Sequence, residues 1–353
     1  MICCPHTKVT KVTKVTKVTT APATSTAGSE PVLISVYVPL VVTAVLTVLA
    51  PRVARLLAPR PAVWALACAA LVTTVGWMGS MALLAFTAVA QIPQVAAEGR
   101  WSVPALRAED PVHFTVAVVS ALILTAEVVS LGLALVRRTR HILWARRECA
   151  CMPHENELSV IDDDRPQAFA LPGSPGRIVV SRGMLQCLAS DEREALLAHE
   201  RAHLRHRHHH FQTLWQLTAA ANPLLRRLAD AGGFALERWA DEDAAAVVGN
   251  RGVVARAVGR AALASTSRRS STGALAATGG AVPQRVRALL APPPPRRLLP
   301  IVAGALLLAL CCVGLANAAA DSDDMLDDAQ RAQCALSVSH PSGPRCDCPG
   351  HRP

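Results

Sequence analysis

The sequence predicts a polytopic α-helical membrane protein: four transmembrane helices, with a mostly helical α+β domain inserted ahead of the fourth. Three observations predict it. Of 353 residues, 51% are hydrophobic and only 18% charged, with a mean hydropathy of +0.30, whereas soluble domains carry about 25% charged residues. Four stretches, 32–50, 61–90, 113–136 and 298–320, are almost free of charge and approach or exceed the ~20 residues that cross a hydrocarbon core as a helix. Between the third and the fourth, residues 148–297 change to mixed charge, turns and short apolar runs. This composition excludes a chain that is disordered throughout.

Residues 1–30 carry the repeat TKVTKVTKVTKVT and a Ser/Thr/Ala-rich continuation, a disordered low-complexity tail by composition. All four lysines, Lys8, Lys11, Lys14 and Lys17, lie in it, and every other basic residue is arginine. An over-extended start site, with the native chain beginning near Pro31, accounts for lysines so foreign to the rest. Residues 31–147 hold the first three spans and their loops. Arg52, Arg55 and Arg60 separate spans one and two, while Glu98, Arg100, Arg107, Glu109 and Asp110 separate two and three. Arg137, Arg138, Arg140, Arg146 and Arg147 follow span three, and Arg296 and Arg297 precede span four. After it, residues 321–353 carry six aspartates against three arginines. Arginine-rich loops stay inside. The expected topology is therefore a multi-pass plasma-membrane protein with both termini outside and 148–297 in the cytoplasm; only the lysine tail disagrees. The net charge of +10 has the size of a nucleic-acid footprint, but it resides in these flanks, and no direct nucleic-acid binding is expected. Glu127, inside span three, is either a functional group at membrane depth or one partner of an inter-helix hydrogen bond.

In the inserted domain, QAFALPGSPGRIVVS (167–181) reads as two short strands around a Pro/Gly turn. Ser181 can cap a short helix through Leu188, and Ser190 is the expected N-cap of a long helix, EALLAHERAHLRHRHHHF. That helix contains His199-Glu200-Arg201-Ala202-His203, the H-E-x-x-H pattern. Imidazoles at i and i+4 share one helix face and can hold one zinc ion, while Glu200 can take the proton of a water that the zinc acidifies. A catalytic zinc needs a third protein ligand. Downstream, FALERWADEDAA (234–245) offers Glu237 as that ligand and, one turn on, Asp241 to hydrogen-bond a ligand histidine. The alternative is an exposed acidic helix.

These residues, with AFALPGSPGRIVVSRGMLQCLASDEREALLAHERAHLRHR, Asn222-Pro223 and QRVRALLAP (284–292), resemble the BlaR/MecR-type integral-membrane zinc metallopeptidases, distant relatives of HtpX-like and CAAX-prenyl proteases. The resemblance covers about residues 165–292. It implies a gluzincin-type zinc-peptidase domain within 148–297, with His199, His203 and Glu237 on one Zn2+ and Glu200 as general base. It makes the strand at Ala168, Phe169 and Ala170 a candidate edge for an extended protein or peptide substrate. It also implies cytoplasmic, signal-controlled cleavage of a regulatory protein such as a helix-turn-helix transcriptional repressor. Three departures matter. Residues 321–353 contain no lysine, so the S-x-x-K of a penicillin-binding sensor is not expected there. His208 stands where the family often has an acid, five residues after the second ligand. The only tyrosine, Tyr37, lies in span one, which excludes a tyrosine oxyanion donor from the peptidase domain.

His206 and His210 continue the spacing of His199 and His203, so on an unbroken helix they face the cleft as oxyanion donors or ligands of a second metal, or else form a solvated helix end. The cysteines form no C-x-x-C pair. Cys68, Cys311 and Cys312 are expected in spans; Cys149, Cys151 and Cys187 in the cytoplasm; Cys334, Cys346 and Cys348 outside. Residues 264–282 and Pro292–Pro295 read as linkers to span four. The expected activity is a zinc endopeptidase at the cytoplasmic face of the bilayer, with membrane-protein quality control and a non-catalytic zinc-scaffolded transducer as the alternatives.

Overall fold

The computed structural model describes residues 29–109, 113–151, 157–173, 175–266, 280–292 and 298–339. Outside these residues lie the tail to residue 28, most of the 264–282 linker, Pro293–Pro295, Arg296, Arg297, Cys346 and Cys348. Among the described residues, four helices are long and apolar enough to cross a membrane: Ser35–Leu56, Pro59–Ala90, Phe114–Glu148 and Leu299–Ala335. The first lies in α1 (Ser29–Leu56) and the second is α2 (Pro59–Ala90). The chain turns between them at Ala58, in extended backbone, and Pro59 opens α2 at a position that needs no N–H donor. Two short helices, α3 (Pro93–Gly99) and α4 (Val103–Glu109), follow at the far end of α2.

Helix α5 (Phe114–Cys151) does not stop at residue 136, where its apolar run ends. Residues 137–151 contain neither Gly nor Pro and carry five arginines and two alanines, good helix formers that let the helix run on past its apolar stretch. Within α5, Glu127 Oε1 accepts a hydrogen bond from Trp77 Nε1 of α2 at 2.7 Å, the inter-helix contact that was one of its two readings. Close approach of the spans relies on small residues. A Cβ on Gly76 would sit 2.6 Å from Cys311 Sγ of the last span.

The inserted domain begins with β1 (Leu158–Ile161), β2 (Ala168–Leu171) and β3 (Arg177–Ser181). The two strands around the Pro/Gly turn pair antiparallel, Ala168 opposite Val180, and β1 adds in parallel on the other side of β3. The order β1-β3-β2 makes β3 the buried centre and β2 an edge. β1 was not foreseen, because four residues beside a charged stretch carry too little pattern. Next come α6 (Arg182–Cys187), capped as expected by Ser181 Oγ on Met184 N–H at 3.1 Å, and α7 (Ser190–Arg205). α7 starts one residue earlier than expected. Ala189 precedes it, and Glu192 reaches back to accept from the Ala189 N–H at 3.0 Å, so Ser190 is already helical.

α8 (His208–Ala221), a 3-10 turn at Pro223–Leu225, α9 (Arg226–Val248), α10 (Arg251–Thr266) and α11 (Ala281–Leu290) complete the domain. The final helix, α12 (Leu299–Ser339), passes residue 320 without a break. Its Asp-rich extension pairs Arg331 with Asp327 and Asp328 and returns against the far-end helices, where Ala329 O accepts from Ser102 N at 3.1 Å.

Domain and bundle share one apolar core. Leu57, between the first two spans, and Val63 and Leu66 of the second cluster with Trp215, Leu225, Leu228, Leu236 and Trp239. At Gly232 a Cβ would lie 2.5 Å from the Trp215 ring, so α8 and α9 touch there. Leu228 is fully buried in this core. Leu228→Ala should cost the full chain about 2–5 kcal/mol, read as a lowered unfolding midpoint in detergent. A loss below about 1 kcal/mol, as surface sites show, would mean that α9 is not anchored on the spans.

Candidate active site

Helix α7 turns His199 and His203 to one side, and α9 lies across from them with Glu237 and Asp241 on successive turns. The two Nε2 atoms are 3.1 Å apart. Glu237 Oε2 lies 3.5 Å from His199 Nε2, and Oε1 lies 3.6 Å from His203 Nε2. A tetrahedral zinc site with ligand bonds of about 2.0–2.1 Å has edges of about 3.3–3.4 Å. The three donors therefore already stand at zinc-like separations, and among the described residues they form the one group of this kind. The donor set fits zinc.

Each imidazole has its own partner on the nitrogen that faces away from this point. Asp241 Oδ1 lies 3.0 Å from His199 Nδ1. Burial opposes a charge on His199, but Asp241 and Glu237 outweigh it and push the pKa up to about 10. Metal binding at Nε2 must then release that proton. His203 Nδ1 lies 3.0 Å from Nδ1 of His208. The partner of His203 on this side is thus a second imidazole. His208 is fully buried, and burial with the neighbouring His203 and His206 lowers its pKa to about 3, so it is neutral. A neutral His208 can accept the Nδ1 proton of His203 and leave Nε2 free for a metal. The remaining His208 Nε2 has no hydrogen-bond partner and faces the Trp239 ring, with centroids 4.9 Å apart.

Arg285 of α11 is the residue that the sequence reading missed. Its Nε and Nη2 donate to the two oxygens of Asp241 at 2.8 and 2.6 Å, and Nη1 lies 3.0 Å from Glu237 Oε2. Burial disfavours charge on both carboxylates, but Arg285 and His199 hold Asp241 ionised and Glu237 well below the usual carboxylate range. A signal was present: Arg285 shares the apolar face of α11 with Val282, Val286 and Leu289, a charge where a core residue is expected.

Glu200 faces the same space, and its carboxylate accepts from the Ala170 backbone N–H. Burial, with a contribution from Glu237, raises its pKa even though His199 and that N–H pull the other way. A cleft of about 850 Å3 runs past His199, Glu200 and Glu237 between β2 and α10, with an apolar wall including Met184, Leu196, Val254 and Val258. A smaller hollow of about 300 Å3 continues on the other side of the histidines along Phe169 and Ala170. Ala168 lines both spaces, and Phe169 and Ala170 line the smaller hollow.

His206 and His210 do not continue the stripe. Arg207 takes a left-handed conformation, φ 50°, which ends α7 and starts α8 in a new direction. His206 bonds Asp243 at 2.6 Å and lies over Trp239, while His210 is exposed beside His209. His209, not His210, reaches the cleft wall, together with Gln212.

Residues 135–292 match peptidase family M48. This M48-like region contains every residue of the site, from β2 to Arg285. Three curated relatives, each named "Protease HtpX homolog", are similar to parts of the chain. That of Thermoplasma acidophilum is 48% identical over 54 residues, 14% of this chain and 17% of the relative. That of Thermodesulfovibrio yellowstonii is 35% identical over 75 residues, 21% and 27%. That of Thermococcus sibiricus is 33% identical over 99 residues, 26% and 34%. The chain thus spans about a third or less of the length of these relatives. No solved structure matches it.

Removing an outer partner of a metal ligand typically weakens metal binding 10–100-fold. Arg285→Met and His208→Leu should each lower zinc affinity of the full chain by about that factor, measured by chelator competition. Unchanged affinity in either variant removes its orienting role.

Proposed function

We propose that the chain is a membrane-bound zinc endopeptidase, with His199, His203 and Glu237 as the zinc ligands and Glu200 as the general base. The convergence of the three donor atoms beside a buried glutamate carries this reading. The M48 match and the protease names of the relatives support it. Zinc bound there would act as a Lewis acid on a peptide carbonyl and acidify a water.

The protein's own groups do the rest. A carboxylate whose pKa burial has raised is a better proton acceptor near neutral pH than an exposed one, and Glu200 is buried against the ligands. Asp241 and His208 set the tautomers of His199 and His203, and Arg285 keeps Glu237 and Asp241 charged. The free edge of β2 offers main-chain groups to a substrate segment lying extended along the cleft. The apolar wall formed by Met184, Leu196, Val254 and Val258 accepts one of its non-polar side chains.

The names of the relatives favour the HtpX side of the family resemblance, and quality control of membrane proteins is the reading we prefer for the substrate. Signal-controlled cleavage of a regulator such as a helix-turn-helix repressor is the second reading. One observation favours it: α3, α4 and the end of α12 form a small contact at the opposite end of the bundle from the site, through Ser102–Ala329 and Gln330–Gly99. Spans that join such a contact to the site could relay an external signal. In both readings the arginine-rich flanks favour a cytoplasmic site with the C-terminal end outside.

Glu200→Gln keeps the shape of the site but removes the base. It should lower cleavage of an unfolded protein substrate by the full chain in detergent by about 10^2–10^4-fold, with bound zinc unchanged. Cleavage that persists with zinc bound would contradict the assignment of Glu200, and cleavage by neither protein would favour the zinc-scaffolded transducer.

A further inference from the structure

Away from the cleft, a cavity of about 440 Å3 lies where the end of α1 meets α9 and α11. Among the described residues its charged lining is Arg55, Arg238 and Arg287, one from each helix, with no carboxylate. Arg238 is only 5% exposed. Its Nη1 donates to the Ala54 carbonyl at 2.8 Å, but its Nε is buried with no hydrogen-bond partner. Arg55 Nε returns to the Pro51 carbonyl of its own helix at 3.2 Å. The carboxylates that act on Arg238 through space, Glu242 and Asp241, are engaged by Arg251 at 2.9 Å and Arg285 at 2.6 Å.

Three guanidinium groups around one hollow repel one another, and a buried N–H without an acceptor costs free energy. A phosphate group removes both penalties, because it brings negative charge and several acceptor oxygens to forked N–H donors. The position of the hollow points to a source. Arg55 is in the last turn of α1, beside the end of the span Ser35–Leu56, the level at which basic pockets meet phospholipid headgroups.

We propose that this hollow binds the phosphate of an anionic phospholipid headgroup, and that the bound group braces α11 against α9. Arg238 directly follows Glu237, and Arg287 lies two residues beyond Arg285. The anion therefore ties together the same two helices that Arg285 joins at the catalytic end. The lipid would hold Arg285 on Asp241 and Glu237 only when the chain sits in a suitable membrane. Binding is read without catalysis, so the proposal stands or falls separately from the peptidase assignment.

The test places the full chain in phosphatidylcholine nanodiscs with and without phosphatidylglycerol. Native mass spectrometry reads retained lipid, and hydrogen exchange reads residues 281–290. Phosphatidylglycerol should be retained as a single bound lipid and should slow exchange in α11. The double variant Arg55→Gln/Arg287→Gln should bind about 25-fold more weakly, at roughly fivefold per arginine removed. Arg287 is exposed, so Arg287→Gln alone serves as the variant least able to disturb folding, with about a fivefold loss. Inorganic phosphate titrated into both kinds of disc separates the two sources. If it competes with the lipid, the phosphate chemistry of the site is supported. If it alone slows exchange and phosphatidylglycerol does not, the lipid source is overturned. Retention and exchange unaffected by either ligand, or undiminished in the double variant, overturn the site.

Discussion

The site depends on one buried arrangement of charge. Two carboxylates of α9, Glu237 and Asp241, stand against two imidazoles of α7, and Arg285 arrives from α11 to bond both carboxylates. Ionised carboxylates are costly to bury without partners. Arg285 and the imidazole of His199 together supply the positive charge that keeps both ionised in a buried place. With Arg285 in place, Glu237 can point to the two Nε2 atoms while Asp241 holds the other side of His199. Removing one partner from such a buried set leaves the rest uncompensated, the costly case for buried ion pairs.

That arrangement in turn rests on where α9 is held. Leu228, Leu236 and Trp239 of α9 share a core with Leu57, between the first two spans, and with Val63 and Leu66 of the second, and Arg238 caps the end of α1 through the Ala54 carbonyl. The helix that carries Glu237 is therefore part of the wall between domain and bundle rather than an element of a detached domain. Arg60 over the Trp239 ring and Trp64 edge-on to Phe211 extend the same seam. Membrane spans and site are mechanically one unit, and that is why a ligand at their junction can reach the chemistry.

Much of this was legible in the sequence because the signals were local. Apolar runs mark the spans, the i, i+4 histidines mark one face of α7, and the Pro/Gly turn marks the hairpin of β2 and β3. What escaped depends on contacts across the chain or on a single backbone angle. Arg285 lies 44 residues from its partner Asp241, and no spacing rule connects them. The histidine stripe failed at Arg207, where a non-glycine residue adopts positive φ, a conformation that composition does not announce. That one angle removed His206 and His210 from the cleft, brought His209 to its wall and turned His208 into the partner of His203. The far ends of α5 and α12 were missed for a different reason: hydropathy reports where a helix leaves lipid, not where it ends.

The central claim is that His199, His203 and Glu237 form a zinc site. Zinc-edge X-ray absorption on the full-length protein tests it most directly, since the chain also carries 11 cysteines that could capture the metal. The metal should be bound by nitrogen and oxygen only, at about 2.0–2.2 Å, with the scattering pattern of two imidazoles that is reduced in His203→Ala. A sulfur shell near 2.3 Å, or an imidazole pattern indifferent to that substitution, would contradict it.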